Sequence, residues 1–273
     1  MNEFLIGLQF LTRISIVKQS VWTEESFGKS VKFFPAVGAV LGICYASIAG
    51  ILNFVTCGSL PIFTGAVAFA STVALTGGIH CDGLMDSADG LFSGRDREKM
   101  LEIMKDSRAG AFGVVSLVTV AALEISTLAE LSRMSLFWLV AAVYSAPIIG
   151  RLMIVLTIKI FPYARAQGLG KMFADYTTRR TLIAAFVETF LLLVPLIFAG
   201  AEIFLAAVLS LAAAIIFSVR FGKFATSKLG GVTGDIYGAV EMLSETLVLI
   251  IFMSLETLKI LGEIILPMFF SVV

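Results

Sequence analysis

Apolar residues along this chain come in long unbroken stretches, not in the period-two alternation of a half-buried sheet. Seven stretches, at about 33–55, 60–79, 111–131, 136–158, 182–199, 203–221 and 238–261, each approach the ~20 residues that carry a helix across a ~30 Å hydrocarbon core. The pattern predicts an all-α fold, a polytopic integral membrane helical bundle with about seven transmembrane helices in a single membrane domain over residues 1–273. Residues 4–17 (FLIGLQFLTRISIV) are too short to span and are interrupted by Arg13, so they are expected to form an amphipathic helix at the interface or against the bundle. The tail 264–273 is apolar but short, fit for a half-span or a membrane-edge segment.

The connections between stretches differ sharply in charge. Arg13, Lys18, Lys29 and Lys32 precede the first; Arg95, Arg97, Lys99, Lys105 and Arg108 lie in 80–110; Lys159, Arg165, Lys171, Arg179 and Arg180 lie in 159–180; Arg220, Lys223 and Lys228 follow the sixth. The connections near 56–59 and 200–202 carry no Lys or Arg, and the one near 132–135 only Arg133. Because Lys and Arg concentrate in cytoplasmic loops, a single topology satisfies the chain. The N-terminus and all the basic segments face the cytoplasm, as expected for a protein of the cytoplasmic membrane.

Composition sharpens this picture. Of 273 residues, 58% are hydrophobic and 15% charged, with a mean hydropathy of +0.98. These values argue against a soluble globular enzyme and against disorder. Twenty basic and twenty acidic residues cancel, leaving no global field to attract nucleic acid. Three scattered cysteines without a CxxC and one histidine form neither a disulfide framework nor a structural zinc set. The first residues carry Glu3 instead of a basic cluster, so no signal peptide is expected. Of the charges inside spans, Glu124, Glu188 and Glu256 are expected at helix ends reaching the interface, whereas Arg151, Glu241 and Glu245 are expected to face protein or water.

The segment 80–110, HCDGLMDSADGLFSGRDREKMLEIMKDSRAG, departs most from an inert solvated loop. Asp82, Asp86 and Asp89 recur at i, i+4 and i+7, within roughly 60° of one another on a helix. Such like charges repel, and a bound hard cation relieves them: Mg²⁺ first, with Mn²⁺ or Ca²⁺ as alternatives. Mg²⁺ takes one or two carboxylates and completes its shell with water and phosphate oxygens, which suits a diphosphate ligand. Lys105 and Arg108 nearby fit phosphate neutralisation. His80 adjoins the acidic face. A second polar cluster, LGGVTGDIYGAVEMLSE at 229–245, marks a second site loop at 222–237, where Gly230, Gly231 and Gly234 lead into Asp235. The GLGK at 168–171 lacks the spacing of a P-loop.

The run GGIHCDGLMDSADGLFSGRDREKMLEIMKDSRAGAFG at 77–113 closely resembles the signature of the cobalamin synthase family, the adenosylcobinamide-GDP ribazoletransferases. The segments GLQFLTR (7–13), FFPAVGAVLG (33–42) and the 229–245 cluster are similar to that family too. Glu241 departs from it, standing where the family often has an amide. The resemblance implies a Mg²⁺-dependent membrane enzyme. It would join adenosylcobinamide-GDP to α-ribazole, or to its 5′-phosphate, with release of GMP. In these terms Asp82 and Asp86 hold the metal, and Asp89 completes that site or acts as base in competition with His80. Lys105, Arg108 and Arg151 neutralise phosphate, Asp235 supplies a second metal or ribazole contact, and Glu245 orients part of the site. A homo-oligomer, or association with other cobamide-assembly enzymes, is left open. The residues alone leave two rivals: a CDP-alcohol-type phosphotransferase, and a transporter of cations or small molecules, whose site would lie near the bilayer midplane.

Overall fold

A computed structural model describes residues 3–16 and 23–270. Among them the chain forms twelve α-helices and no β-strand: α1 (Glu3–Leu11), α2 (Glu24–Lys29), α3 (Phe34–Val55), α4 (Pro61–Thr76), α5 (Ile79–Leu91), α6 (Arg97–Ile103), α7 (Ala111–Met134), α8 (Leu136–Ile160), α9 (Leu169–Tyr176), α10 (Arg179–Leu193), α11 (Ala201–Leu229) and α12 (Gly234–Phe270). All seven apolar stretches fall on helices. Five segments are long and apolar enough to cross a membrane: α3 with its N-terminal approach, α7, α8, α10 with its 3₁₀ extension Val194–Phe198, and α11. The pair α4–α5 meets the same test only together, bent by 92°. The 37-residue α12 covers the seventh stretch and runs on through Phe270, so the tail continues that helix. Residues 271–273, and Lys18 among the N-terminal charges, lie outside the described residues.

Helix α8 is apolar around its whole circumference and is buried almost throughout, which makes it the axis of the bundle. Around it pack α3, α12, α11 and α10. The outer helices turn large apolar side chains outward, among them Ile43 and Phe54 on α3, Ile62 and Phe63 on α4, Val115 and Val118 on α7, Leu191 on α10 and Ile216 on α11. Lipid is the solvent that accepts such a perimeter.

Three sequence expectations are corrected here. Helix α1 stops at Leu11, short of residue 17. The Thr12 hydroxyl donates to the Leu8 carbonyl and accepts from the Ile14 N–H, which turns the chain out of the helix. The second site loop at 222–237 is mostly helical. Helix α11 runs to Leu229, Gly230 ends it in the left-handed conformation (φ 73°), and α12 begins at Gly234. Glu124 does not reach an interface; it is buried between helices and accepts a 2.6 Å hydrogen bond from the Thr246 hydroxyl. Glu256 is buried as well.

Candidate active site

Helix α5 carries the aspartate stripe, and two glycines set its direction. Gly77 and Gly78 both take left-handed backbone angles (φ 68° and 74°), open to glycine at little cost. They stop α4 at Thr76, inside the apolar stretch, and turn α5 by 92°. At 13 residues, α5 is too short to span on its own. It packs against α12, and the crossing is glycine on glycine. A Cβ at Gly83 would stand 2.8 Å from the Asp235 carbonyl oxygen and 3.1 Å from the Gly238 Cα. Only a bare backbone fits, and this contact brings the acids of α5 to those of α12. Half-buried Asp86 lies in the combined field of Asp82, Asp235 and Asp89.

Beside this crossing is a cavity of about 590 Å³ lined by Asp82, Asp235, His80, Lys105, Tyr163 and Arg165, with Phe34, Ile154, Phe173 and Tyr237 as apolar walls. The size is that of a small-molecule site. Asp235 is held in place: Arg165 Nη2 donates to its Oδ2 at 3.0 Å, and the Thr233 hydroxyl donates to the same oxygen at 3.2 Å. Arg165 comes from the segment between α8 and α9, which docks on the 230–233 turn. Val232 N–H donates to the Pro162 carbonyl and Ala164 N–H donates to the Val232 carbonyl, each at 2.8 Å. Arg97 on α6 fastens both partners, donating to the carbonyls of Leu229 (2.7 Å) and Ala164 (3.2 Å).

The structure thus gathers Asp82, Asp86, Asp235, His80 and Lys105 from the sequence expectations and places the others elsewhere. Asp89 turns away: its carboxylate oxygens accept from the N–H groups of Gly110 (2.7 Å) and Gly113 (2.9 Å). It serves as an acidic cap on the N-terminus of α7. Arg108 is exposed and forks onto Asp106, whose pKa it holds down at about 2; it does not line the cavity. Arg151, expected at phosphate, and Glu245, expected to orient part of the site, are inside the bundle. The Arg151 guanidinium contacts both Glu241 and Glu245, which ties α8 to α12 behind His80. His80 lies between the cavity and this interior cluster, with Nδ1 3.7 Å from Glu241 Oε2.

Sequence reasoning missed Arg165, Tyr163, Gln167 and Phe10 as cavity walls. The basic loop 159–180 held the only hint, and the GLGK run proves to line the cavity with Gly168, Leu169 and Gly170 without being a P-loop.

Capping by Asp89 yields a test. Asp89→Ala removes two charge-assisted acceptors from the start of α7 and is expected to cost about 0.5–2 kcal/mol, read as an earlier melting transition of the detergent-solubilised protein. An unchanged transition would contradict the cap.

No set of three or more His, Cys, Asp or Glu side chains among the described residues could by itself hold a metal ion. Mg²⁺ does not require such a cage, because it binds through one or two carboxylates with water and phosphate oxygens supplying the rest. Three oxygen-donor acids crowd one crossing with Lys105 and Arg165 beside them. That donor chemistry fits a hard cation bound together with a phosphate ligand.

A helical bundle with an apolar perimeter, and with acids and cations meeting at one largely apolar cavity, defines an integral membrane protein with a candidate site for a phosphorylated ligand. The chain belongs to the family described as cobalamin-5-phosphate synthase, whose family model matches residues 3–253. It is 40% identical over 254 residues to the adenosylcobinamide-GDP ribazoletransferase of Desulfitobacterium hafniense, covering 92% of this chain and 96% of that protein. The Fusobacterium nucleatum protein of the same name is 34% identical over 276 residues, with 94% and 99% covered. That of Brevibacillus brevis is 35% identical over 257 residues, with 92% and 97% covered. No solved structure matches the chain.

Proposed function

We propose that this chain transfers the adenosylcobinamide-phosphate part of adenosylcobinamide-GDP to α-ribazole or its 5′-phosphate, releasing GMP, at the cavity beside the α5–α12 crossing. The carrying observation is that crossing: Gly83 against Gly238 brings Asp82 and Asp235 onto one cavity with Lys105 and Arg165, and Asp86 lies in the field of both acids. The family membership and the named relatives support the substrate pair.

The reaction forms a bond between a ribose hydroxyl oxygen and the phosphorus that bears the cobinamide. The bond from that phosphorus to the bridging oxygen breaks, and GMP leaves with the bridging oxygen as part of its phosphate. Catalysis of this kind is mainly positioning and neutralisation of charge. Lys105 and Arg165 neutralise phosphate oxygens of the donor. One or two of Asp82, Asp86 and Asp235 would hold Mg²⁺, with water and donor phosphate oxygens completing its shell, and the bound ion would supply Lewis-acid stabilisation of the diphosphate and of the departing GMP. The acceptor hydroxyl proton goes to a carboxylate at the cavity mouth or to His80, both of which border the cavity. The Lys and Arg excess of the segments at this end of the bundle supports a cytoplasmic orientation for it in the cytoplasmic membrane.

Purified protein in detergent, given both substrates, is expected to release GMP with Mg²⁺ and to stop on addition of a chelator. Release unaffected by the chelator would remove the metal from the account. Sidedness has its own readout: membrane-impermeant donor should be consumed by inside-out vesicles and spared by right-side-out ones. The reverse pattern would invert the topology.

A further inference from the structure

A second cavity lies against the first. Its volume is about 540 Å³, and its lining includes Gln9, Thr12, Arg13, Thr76, Cys81 and Met85. Phe10, Ile79 and Asp82 border both cavities. The two chambers therefore meet at Asp82, with Phe10 of α1 and Ile79 of α5 lining both.

Their chemistry differs. The first holds two cations and two carboxylates, the equipment for a polyanion bound with a divalent ion. Around the second, among the described residues, Arg13 is the one cationic lining residue and the shared Asp82 the one acid. Arg13 is exposed, and no carboxylate among the described residues pairs with it. Its backbone N–H donates to the Leu75 carbonyl at 2.7 Å. Its guanidinium lies on the Gly77 turn, where a Cβ would come within 2.0 Å of its Nε. The left-handed turn that redirects α5 thus also leaves room for a fixed guanidinium at the mouth of the second cavity.

Transfer between two substrates needs the attacking and departing oxygens roughly in line on opposite sides of phosphorus. Two chambers converging on one carboxylate offer two such approaches. Building on the function proposed above, we propose that the second cavity seats the acceptor nucleoside. Its ribose faces Asp82, and Arg13 grips the anionic group of a 5′-phosphorylated acceptor. The Gln9 amide gives the lining a polar group for a nucleoside, and the Phe10 ring, which lines both cavities, offers it an apolar face.

The test is steady-state GMP release with the donor, α-ribazole and α-ribazole 5′-phosphate each varied in turn, for wild type, Arg13→Gln and Arg13→Lys. It is paired with equilibrium dialysis of α-ribazole 5′-phosphate against the same proteins. Loss of a charge-assisted contact predicts a rise of about 10- to 100-fold in KM and Kd for the phosphorylated acceptor in Arg13→Gln. The KM for unphosphorylated α-ribazole and for the donor should stay within about twofold, and Arg13→Lys should recover part of the loss. An unchanged KM for the phosphorylated acceptor, or a donor KM that rises instead, would overturn the assignment. So would all three constants moving together, which is what a purely structural clamp on the turn would do. Should wild type bind the phosphorylated acceptor through Arg13 yet release no GMP, the proposed reaction fails while the acceptor seat stands. GMP release with an Arg13-independent acceptor KM gives the converse.

Discussion

Asp82→Asn is expected to lower kcat for GMP release by about 10²–10³-fold, the loss typical when a preorganised charged group at a reacting phosphoryl centre is removed. The protein should still insert and fold. Asp82 is exposed at the cavity mouth and makes no buried contact that the substitution would orphan. Among the described residues it is also the one acid bordering both cavities, so its loss should affect the proposed metal and the junction of the two substrates together. Asp86→Asn should fall in the same range, because it removes a charge from the same carboxylate group. The measurement is kcat at saturating substrates beside the fraction of protein recovered folded from the membrane. Turnover within a few-fold of wild type would exclude either residue from the metal site.

Arg151→Met is expected to have the largest effect on stability, at about 3–5 kcal/mol, enough to deplete folded protein from the membrane. Arg151 is buried and contacts both Glu241 and Glu245, and the small chamber beside them also includes Glu124. Removing the single cation leaves acids facing one another away from water. The physical reason predicts its own rescue. Arg151→Met combined with Glu241→Gln and Glu245→Gln should restore both recovery and GMP release, because the arginine acts by joining α8 to α12 and does not touch phosphate. A rescued fold with a donor KM raised by tenfold or more would return Arg151 to the phosphate-binding role.

These two predictions divide along the line between what local pattern encodes and what only packing decides. The helical bundle was legible because a ~20-residue apolar run has few alternatives in lipid, although of the seven expected spans five are long and apolar enough among the described residues, and a sixth only as the bent α4–α5 pair. The Asp82–Asp86 stripe was legible because helical periodicity puts i and i+4 on one face whatever surrounds them. The break at Gly77–Gly78 was not, since hydropathy runs through it to Ile79 and only the left-handed backbone ends α4. Asp89 shares the periodicity of its neighbours, yet the α7 N-terminus comes close enough to claim its carboxylate. Arg165 reaches Asp235 across 70 positions, through docking of the Pro162–Ala164 segment on Val232, and no local spacing records that contact. Arg151 carries the charge of a phosphate ligand, but its guanidinium is taken up by Glu241 and Glu245 inside the bundle.

If acids from α5 and α12 jointly hold a divalent ion beside a diphosphate, Mn²⁺ titrated into the detergent-solubilised protein with GDP should give a bound-ion electron paramagnetic resonance spectrum in wild type, perturbed by ¹⁷O-labelled phosphate and lost in both Asp82→Asn and Asp235→Asn. A bound-ion spectrum that survives in both variants would contradict joint binding of the ion.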